Sequence, residues 1–591
     1  MKLFGFSGFF YFFLFLICLS CNNENKDKAS QAKIQANLSV NNNQKQELPN
    51  QKSALNDSLV EYYIERIIDS AAYSISGNFG SELNKQVFEI YQSRDYKPIW
   101  KLFDKNSTLS QQYLNLLDSI HLEGLDAQDY NFEKLKLYGQ EAMDFTSVYE
   151  GRSDSIAIKA AKGDLSFTIS FLELLFHLNN GKINVNENGV KNVHYENKNR
   201  TPELWIEDMV LKNNLKEVIV KTYPQIPQYF HLKDLLKFYY NLLENEKWKP
   251  LKSGITLSLE SGSVSEDVFV LRQNLFLTND LKKFNIKERK NVHFDQSLKN
   301  AVCSFQLRHG LDTTGIVDEK FIEKMNTPVN EWIKLININM ERLRWLPDSL
   351  GDKHLLVNIP DFNLKLIEKG KQTIEMRVVT GQLTRTTPVF SDRVQYVVFS
   401  PYWHVPKSIA ENDLLPRIKK DIDFLKRSRL EIIESWEPDA AIINPDEIEW
   451  DKMTKGNFPY RLRQKPGPWN SMGKVKFMFP NNFNIYLHDT PAKKMFNEKN
   501  RAFSSGCVRI EQPVELVKFL LPQLPEQEII SKMNRPTEKY INVKNPVPVH
   551  IIYNTVWVDE QGRAIYPHDV YERDEKLMDL FFKKNKVQPF F

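Results

Sequence analysis

Two residues in this 591-residue chain have the types and spacing for nucleophilic acyl transfer. His488 ends the stretch "FNIYLH", and Cys507 ends the small-residue run Ser504-Ser505-Gly506-Cys507. A free thiol has a pKa of about 8.5, so only a few per cent is thiolate at neutral pH. A nearby imidazole can take the proton, and a cation such as Arg509 can stabilise the thiolate. Strand alternation places Tyr486 with His488 on one face, and Ser505, Cys507 and Arg509 on one face. Gly506 permits a tight turn and close approach of a substrate. The backbone amides of Gly506 and Cys507 are then candidates to face a developing oxyanion. Thr490-Pro491 reads as the cap and first position of a short helix after His488. Taken alone, the same residues also fit a surface histidine and a buried structural cysteine.

The surrounding elements must bring these side chains together. From 351 the pattern turns β-rich. "HLLVNIPDFNLKLIEKGKQTIEMRVVTG" (354–381) alternates with period two and predicts a hairpin turning at Lys369-Gly370. "VQYVVFSPYWHVP" (394–406), "KVKFMFP" (474–480), "FNIYLHD" (483–489) and "VPVHIIYNTVWVD" (547–559) read as further strands. The charged stretch 407–455 reads as a helical insertion within a catalytic domain at 351–530. Residues 531–591 form a C-terminal segment whose strand completes the catalytic or the scaffold region.

Upstream, residues 58–250 read as a helical scaffold. Ser58 and Glu61 fit a capping box. "DLSFTISFLELLFHLNNGK" (164–182) is apolar nearly all round and predicts a buried helix with a glycine C-cap. Residues 262–328 carry three short helical stripes, with Gly310 ending one helix, Gly315 in a turn and a helix starting near Asp318. "FQLRHGLDTTG" within it resembles the small three-helix peptidoglycan-binding module of many cell-wall enzymes. Cys303 beside its apolar stripe reads as a packed core thiol. A connecting helix is expected over 329–350.

Length implies several domains. The 41% hydrophobic and 26% charged residues are ordinary for a globular chain, and a net charge of +4 with no long basic run gives no support to a nucleic-acid binder. "MKLFGFSGFFYFFLFLICLSC" (1–21) has the charge and apolar pattern of an export signal. Its ending resembles a bacterial lipoprotein signal with Cys21 as the lipidated residue, although Cys18 stands where leucine is usual. Residues 22–57 are polar and read as a disordered tether of roughly 30–35 Å r.m.s. span. The protein is therefore expected to be exported, periplasmic and held at a membrane. Its remaining cysteines are too few for a disulfide framework.

His488-Asp489-Thr490-Pro491 followed by Phe503-Ser504-Ser505-Gly506-Cys507-Val508-Arg509 resembles the signature of L,D-transpeptidases with a YkuD-type catalytic domain. Ser505 and Arg509 replace the family's commoner His and Asn, which matches the YcbB-like subgroup. "RVVTGQLTRTTPVFSD", "YWHVPKSIA", "RLRQKPGPWNSMGKVKFMFPN" and the C-terminal "VWVDEQGRAIYPHDVYERD" agree with that subgroup. The resemblance implies a multidomain α+β protein: helical scaffold, small peptidoglycan-binding module and β-rich catalytic domain with a lid insertion. It implies that Cys507 forms a thioester with a peptidoglycan tetrapeptide stem and that an amine of another stem resolves it into a 3→3 crosslink, without metal or cofactor. His488 would be the general base, Gly506 the oxyanion-hole backbone and Ser505 an orienting or turn residue. Arg509 would hold a carboxylate or tune the thiolate, and Tyr486 and Trp403 would line the substrate site. Carbapenem-type β-lactams would acylate Cys507. Two other readings compete: a hydrolase or carboxypeptidase on the same stems, using the same residues with water as acceptor, and a non-catalytic wall-anchoring lipoprotein with lipid at Cys21, a glycan grip at 262–328 and a degenerate β domain, against which the intact His488 and Cys507 pair argues.

Overall fold

A computed structural model of the chain describes residues 57–583, apart from 75–81, 103–106, 146–152, 186–189, 196–197, 199–201, 246, 259–261, 285–291 and 438–439. The expected signal, Cys21 and nearly all of the expected tether lie outside the described residues. Among the described residues no helix is long and apolar enough to cross a membrane. The architecture is a multidomain α+β fold, with a helical region, a three-helix unit and a β-rich domain.

The spine of the helical region is α1 (Ser153–Asn180). Ala157, Ala161, Leu165, Phe167, Phe171, Leu174 and Leu178 are all buried, as an apolar surface on every side requires. Asp164 is buried too. Its carboxylate accepts from the backbone N–H groups of Ile99 and Trp100 (2.9 and 2.8 Å) and from Tyr91 Oη (2.6 Å), so the buried charge is satisfied. Gly181 caps α1 at φ +91°, and a Cβ there would lie 2.6 Å from Glu341 Oε1. The first described helix, Asp57–Ser74, already contains Asp57, so Ser58 lies inside it and forms no capping box. A second long helix, α2 (Pro227–Glu244), closes the region.

The three-helix unit comprises α3 (Glu266–Leu277), α4 (Gln296–Arg308) and α5 (Glu319–Met325). Val268, Leu271, Leu298, Val302, Phe305 and Phe321 form its separate core. Asp295 and Asp318 cap α4 and α5 by accepting from Leu298 N and Phe321 N. Gly310 and Gly315 adopt positive φ (68° and 72°). Cys303 is half-buried rather than sealed in the core.

The helix α6 (Val329–Arg344) joins this unit to the β-rich domain. Its polar face is buried. Arg344 pairs with Glu341 at 3.1 Å, donates to Tyr229 Oη (3.1 Å) and to the Glu123 carbonyl, and Glu341 accepts from Ile183 N–H (2.8 Å). From the same helix Asn339 Oδ1 accepts from Thr555 N–H (2.8 Å), so α6 grips both the helical region and the C-terminal segment.

The β-rich domain contains β1 (Lys353–Asn358), β2 (Asn363–Glu368), β3 (Lys371–Gly381), β4 (Phe390–Phe399), β5 (Trp403–His404), β6 (Leu430–Ile433), β7 (Arg461–Gln464), β8 (Val475–Met478), β9 (Leu487–His488), β10 (Ala502–Ser504), β11 (Val508–Ile510), β12 (Lys539–Ile552), β13 (Trp557–Val558) and β14 (Ala564–Ile565). Nine strands pair in the order β10-β3-β11-β9-β8-β4-β12-β1-β2, and β2 pairs again with β3, closing the sheet into a barrel-like form. The Lys369-Gly370 turn is where expected, with both residues at positive φ.

Three expectations change here. The stretch 547–559 is not one strand, since β12 runs Lys539–Ile552 and β13 pairs with β14 in a separate two-stranded sheet. The stretch 394–406 is not one strand: the chain turns at Ser400 (φ +45°), so β4 stays in the barrel and β5 joins a separate sheet, β5-β7-β6. The insertion is not purely helical either. Short helices at 407–427 pack with that sheet around Leu415, Ile418, Leu425, Ile432 and Leu462. Trp403 packs against this insertion core.

Candidate active site

β9 and β11 lie side by side and parallel, with Leu487 opposite Val508 and His488 opposite Arg509. Val508 N–H donates to Tyr486 C=O at 3.2 Å, which sets Cys507 level with Tyr486. His488 therefore lies one strand spacing away from Cys507 and two residues along, roughly 8 Å between Cα atoms. Tyr486, His488, Cys507 and Arg509 share one face. The Tyr486 and His488 rings are 5.8 Å apart, and the Tyr486 hydroxyl interacts with the thiol. Among the described residues no hydrogen bond joins His488 to Cys507; Sγ makes a weak contact with Asn484 C=O at 3.8 Å.

Burial pushes the Cys507 thiol up to about 11, against the pull of Tyr486 and Arg509. Burial, then the Arg509 charge, lowers the His488 imidazole to about 3. Both groups are neutral at pH 7. Both shifts run in the direction that favours the neutral thiol and imidazole over a thiolate–imidazolium pair. His488 is oriented by its Nδ1–H, which donates to Asp489 C=O at 2.5 Å. The Asp489 carboxylate in turn accepts from Lys474 N–H (2.9 Å) and pairs with Lys493 (2.6 Å). Gly473 is needed there, because a Cβ would collide with that carboxylate at 2.4 Å.

The turn that leads into Cys507 departs from simple alternation. Gly506 sits at φ +118°, so Ser505 leaves the common face and is exposed. Ser505 does not orient His488: its Oγ accepts from Arg385 Nη1 at 3.2 Å, and Arg385 pairs with Asp413 of the insertion at 2.5 Å. The Gly506 N–H, expected to face an oxyanion, instead donates to Ser504 Oγ at 3.1 Å. Ser504 also donates to Cys507 C=O at 2.5 Å. The amide of Cys507 has no acceptor among the described residues and is the donor left for an oxyanion. The Gly506 carbonyl accepts from Thr387 Oγ1 (2.7 Å), which itself accepts from Gly381 N–H (2.8 Å). Tyr571 Oη accepts from Thr387 N–H (3.2 Å) and donates to Gly381 C=O (2.6 Å). Arg509 donates only to Met495 Sδ (3.2 Å), and its buried Nε has no partner among the described residues. After His488, the expected helix at Thr490-Pro491 begins later, as a 3-10 turn over Lys493–Asn497, because Thr490 Oγ1 accepts from Ala492 N–H.

A cleft of about 720 Å³ abuts the turn. Leu383, Arg385, Thr386, Ser505, Gly506 and Arg573 contribute to its walls; Cys507 and His488 do not. Trp403 is also absent from them, consistent with its packing on the insertion. Ser504, Thr387, Tyr571 and Arg385 were not singled out by sequence. Their partners lie far along the chain, and nothing local distinguishes them from other hydroxyl or basic residues.

Residues 352–551 match the family described as "L,D-transpeptidase catalytic domain" (YkuD), residues 85–236 match "Scaffold domain", and residues 276–325 match "Putative peptidoglycan binding domain". These three regions of the chain are thus similar, in turn, to an L,D-transpeptidase catalytic domain of the YkuD type, a scaffold domain and a peptidoglycan-binding domain. A curated relative from Haemophilus influenzae, described as "Putative L,D-transpeptidase", is 34% identical over 242 residues, covering 41% of this chain and 48% of that protein. The matched region thus spans about half the length of that relative. Among solved structures, an L,D-transpeptidase from Mycobacterium smegmatis is 8% identical, with a TM-score of 0.18 over 34% of this chain and 58% of its own. L,D-transpeptidase 3 from Mycobacterium tuberculosis, with a faropenem-derived adduct, is 11% identical, with a TM-score of 0.17 over 34% and 60%. At these scores the two structures carry no argument for this chain.

Proposed function

We propose that the chain is a cell-wall acyltransferase that joins peptidoglycan stems through a thioester on Cys507. The observation that supports this best is the sharing of one strand face by Tyr486, His488, Cys507 and Arg509 within the matched domain. The sulfur adds to the carbonyl carbon of the third residue of a tetrapeptide donor, as the thiol proton passes to His488. Because the resting pair is neutral, addition and proton transfer occur together. The Cys507 amide stabilises the oxyanion. The proton then goes to the nitrogen of the terminal D-Ala, the C–N bond breaks, and the thioester remains. In the second half the side-chain amine of another stem adds to the thioester carbon and gives a proton to His488. The C–S bond then breaks, and the thiolate is reprotonated. The product is a 3→3 crosslink, and the arginine at 509 offers its unpartnered Nε–H to a stem carboxylate.

The export signal and Cys21 fit an enzyme tethered at a membrane on the periplasmic side. Incubation of the purified enzyme with disaccharide-tetrapeptide tests the reading. The expected products are 3→3 dimers and free D-Ala, both lost in Cys507→Ser. Release of D-Ala, or of tripeptide, without dimers would replace transfer by hydrolysis.

A further inference from the structure

The cleft of about 720 Å³ beside the Cys507 turn carries a charge excess that the chemistry at sulfur does not use. Its charged lining residues are Lys191, Arg385, Glu572, Arg573 and Lys576. Arg385 is held by Asp413 of the insertion at 2.5 Å. Lys191, Glu572 and Lys576 are exposed, and among the described residues no ion pair joins the glutamate to either lysine or to Arg573. The walls therefore keep an excess of positive charge.

Arg573 is half-buried and lies just before the C-terminal helix Asp574–Phe581. Its guanidinium sits over the Tyr553 ring at 4.8 Å and the Tyr571 ring at 5.0 Å, and those two rings stack with centroids 5.5 Å apart. It makes no side-chain hydrogen bond or ion pair among the described residues, and its buried Nη1 has no partner there. The neighbouring carboxylates are engaged elsewhere. Asp569 accepts from Tyr553 Oη (2.5 Å) and from the N–H groups of Arg573 (3.0 Å) and Asp574 (2.8 Å). Asp574 pairs with Arg342 at 2.7 Å. Burial works against the Arg573 charge. A guanidinium fixed by two rings and lacking its own carboxylate offers its planar fork to an incoming one. Tyr571 is bonded in turn to Gly381 and Thr387, and Thr387 to the Gly506 carbonyl, so Arg573 is placed relative to the Cys507 turn.

The side from which the cleft meets that turn bears on the ligand. Ile485 and Gly506 line the cleft, whereas their chain neighbours Tyr486 and Cys507 lie on the Arg509 face. Arg509 and Arg573 thus flank the turn from opposite sides, as two peptide stems meeting at one sulfur require. We propose that this cleft is the acceptor subsite: an acidic peptide stem lies in it with a carboxylate on Arg573 and its side-chain amine toward Cys507. The assignment to the acceptor rests on the acyl-transfer reading above, whereas the cleft, its charge and the unpartnered guanidinium do not. The volume falls within the range of roughly 300–1,000 Å³ usual for sites that enclose small ligands.

The test uses the full chain. In the Cys507→Ser form, which forms no thioester, calorimetric titration compares two ligands. One is a stem tripeptide, which lacks the terminal D-Ala and can only accept; the other is the same tripeptide amidated at its carboxylates. The free acid is expected to bind at least tenfold more tightly, Arg573→Gln to erase that preference, and Arg573→Lys to keep part of it. Lys576→Glu, at an exposed position on the same wall, is expected to weaken the free acid at least threefold and serves where Arg573→Gln lowers the melting temperature. Equal binding of acid and amide, a preference that survives Arg573→Gln, or unchanged affinity in Lys576→Glu would each overturn the proposal. With cysteine at 507, Arg573→Gln is expected to raise the KM for the tripeptide acceptor at least tenfold and that for the tetrapeptide donor by less. A rise confined to the donor would overturn the assignment of the cleft. Release of D-Ala from tetrapeptide by the wild-type chain is read separately. Its absence beside Arg573-dependent binding would remove the acyl-transfer reading and leave the carboxylate site standing.

Discussion

Burial holds the Cys507 thiol near 11 and the His488 imidazole near 3, so the free enzyme keeps a neutral pair. Alkylation of Cys507 by iodoacetamide should therefore be slow at pH 7 and climb steadily with pH toward about 11. A rate plateau between pH 6 and 8 would instead reveal an ion pair and contradict this account. Ser504 holds the turn through two hydrogen bonds, to Gly506 N and Cys507 O. Ser504→Ala leaves both groups without that partner, at a cost of about 1–3 kcal/mol each where they stay buried. The expected outcome is a lower melting temperature and at least tenfold slower acylation by a carbapenem. His488 and Cys507 could be picked out as candidates because few residue types can do nucleophilic acyl chemistry; strand alternation grouped Tyr486 with His488 and Cys507 with Arg509, and the pairing of β9 with β11 puts the two groups on one face. Ser505 was misread because alternation was carried through Gly506, whose φ of +118° breaks it. The Gly506 amide was misassigned because the competing acceptor, Ser504 Oγ, is supplied by the turn's own geometry.

Between elements, the turn that leads into Cys507 is tied to β3 and the C-terminal segment through Thr387 and Tyr571. Thr387→Val keeps the shape but removes the hydroxyl that bridges Gly381 N–H and Gly506 C=O. It should slow acylation and lower stability by about 1–3 kcal/mol, whereas Tyr571→Phe, which removes one oxygen farther from the turn, should have the smaller effect on rate. Stopped-flow acylation and thermal melting check both. The insertion reaches the same turn through Asp413, Arg385 and Ser505. Strands with clean alternation, such as β2 and β3, were readable because one face is buried and the other is not. β9 was read as a longer strand, 483–489, of which only Leu487–His488 pairs in the sheet; β5 was not separated, since the split of 394–406 between two sheets depends on one positive-φ residue, Ser400.

Across the whole molecule, α6 carries the connection between helical region and barrel on a buried Glu341–Arg344 pair. Arg344→Met strands the Glu341 carboxylate and should destabilise the protein by about 3–5 kcal/mol, read as a loss of melting temperature. Acid should weaken the fold as well. His177 and His488 are held near 3 and His550 near 4 by burial, below the ordinary value of about 6.5. Their unfolded forms bind protons that the folded forms do not, so the stability they contribute is complete above pH 6.5 and is lost as pH falls toward 3–4. Melting temperature should drop between pH 6.5 and 4.5 under constant ionic strength. The domain order was readable from changes in periodicity along the chain, but the burial of α6's polar face was not, because its partners Glu123, Tyr229 and Thr555 are distant in sequence. Everything functional rests on Cys507 acting as an acyl acceptor beside His488. The most direct measurement is the intact mass of the purified protein after exposure to a carbapenem, with peptide mapping of the adduct. A single adduct on the peptide containing Cys507, absent in Cys507→Ser and formed far more slowly in His488→Ala, is predicted. An unmodified wild-type chain, or an adduct that persists in Cys507→Ser, would contradict it.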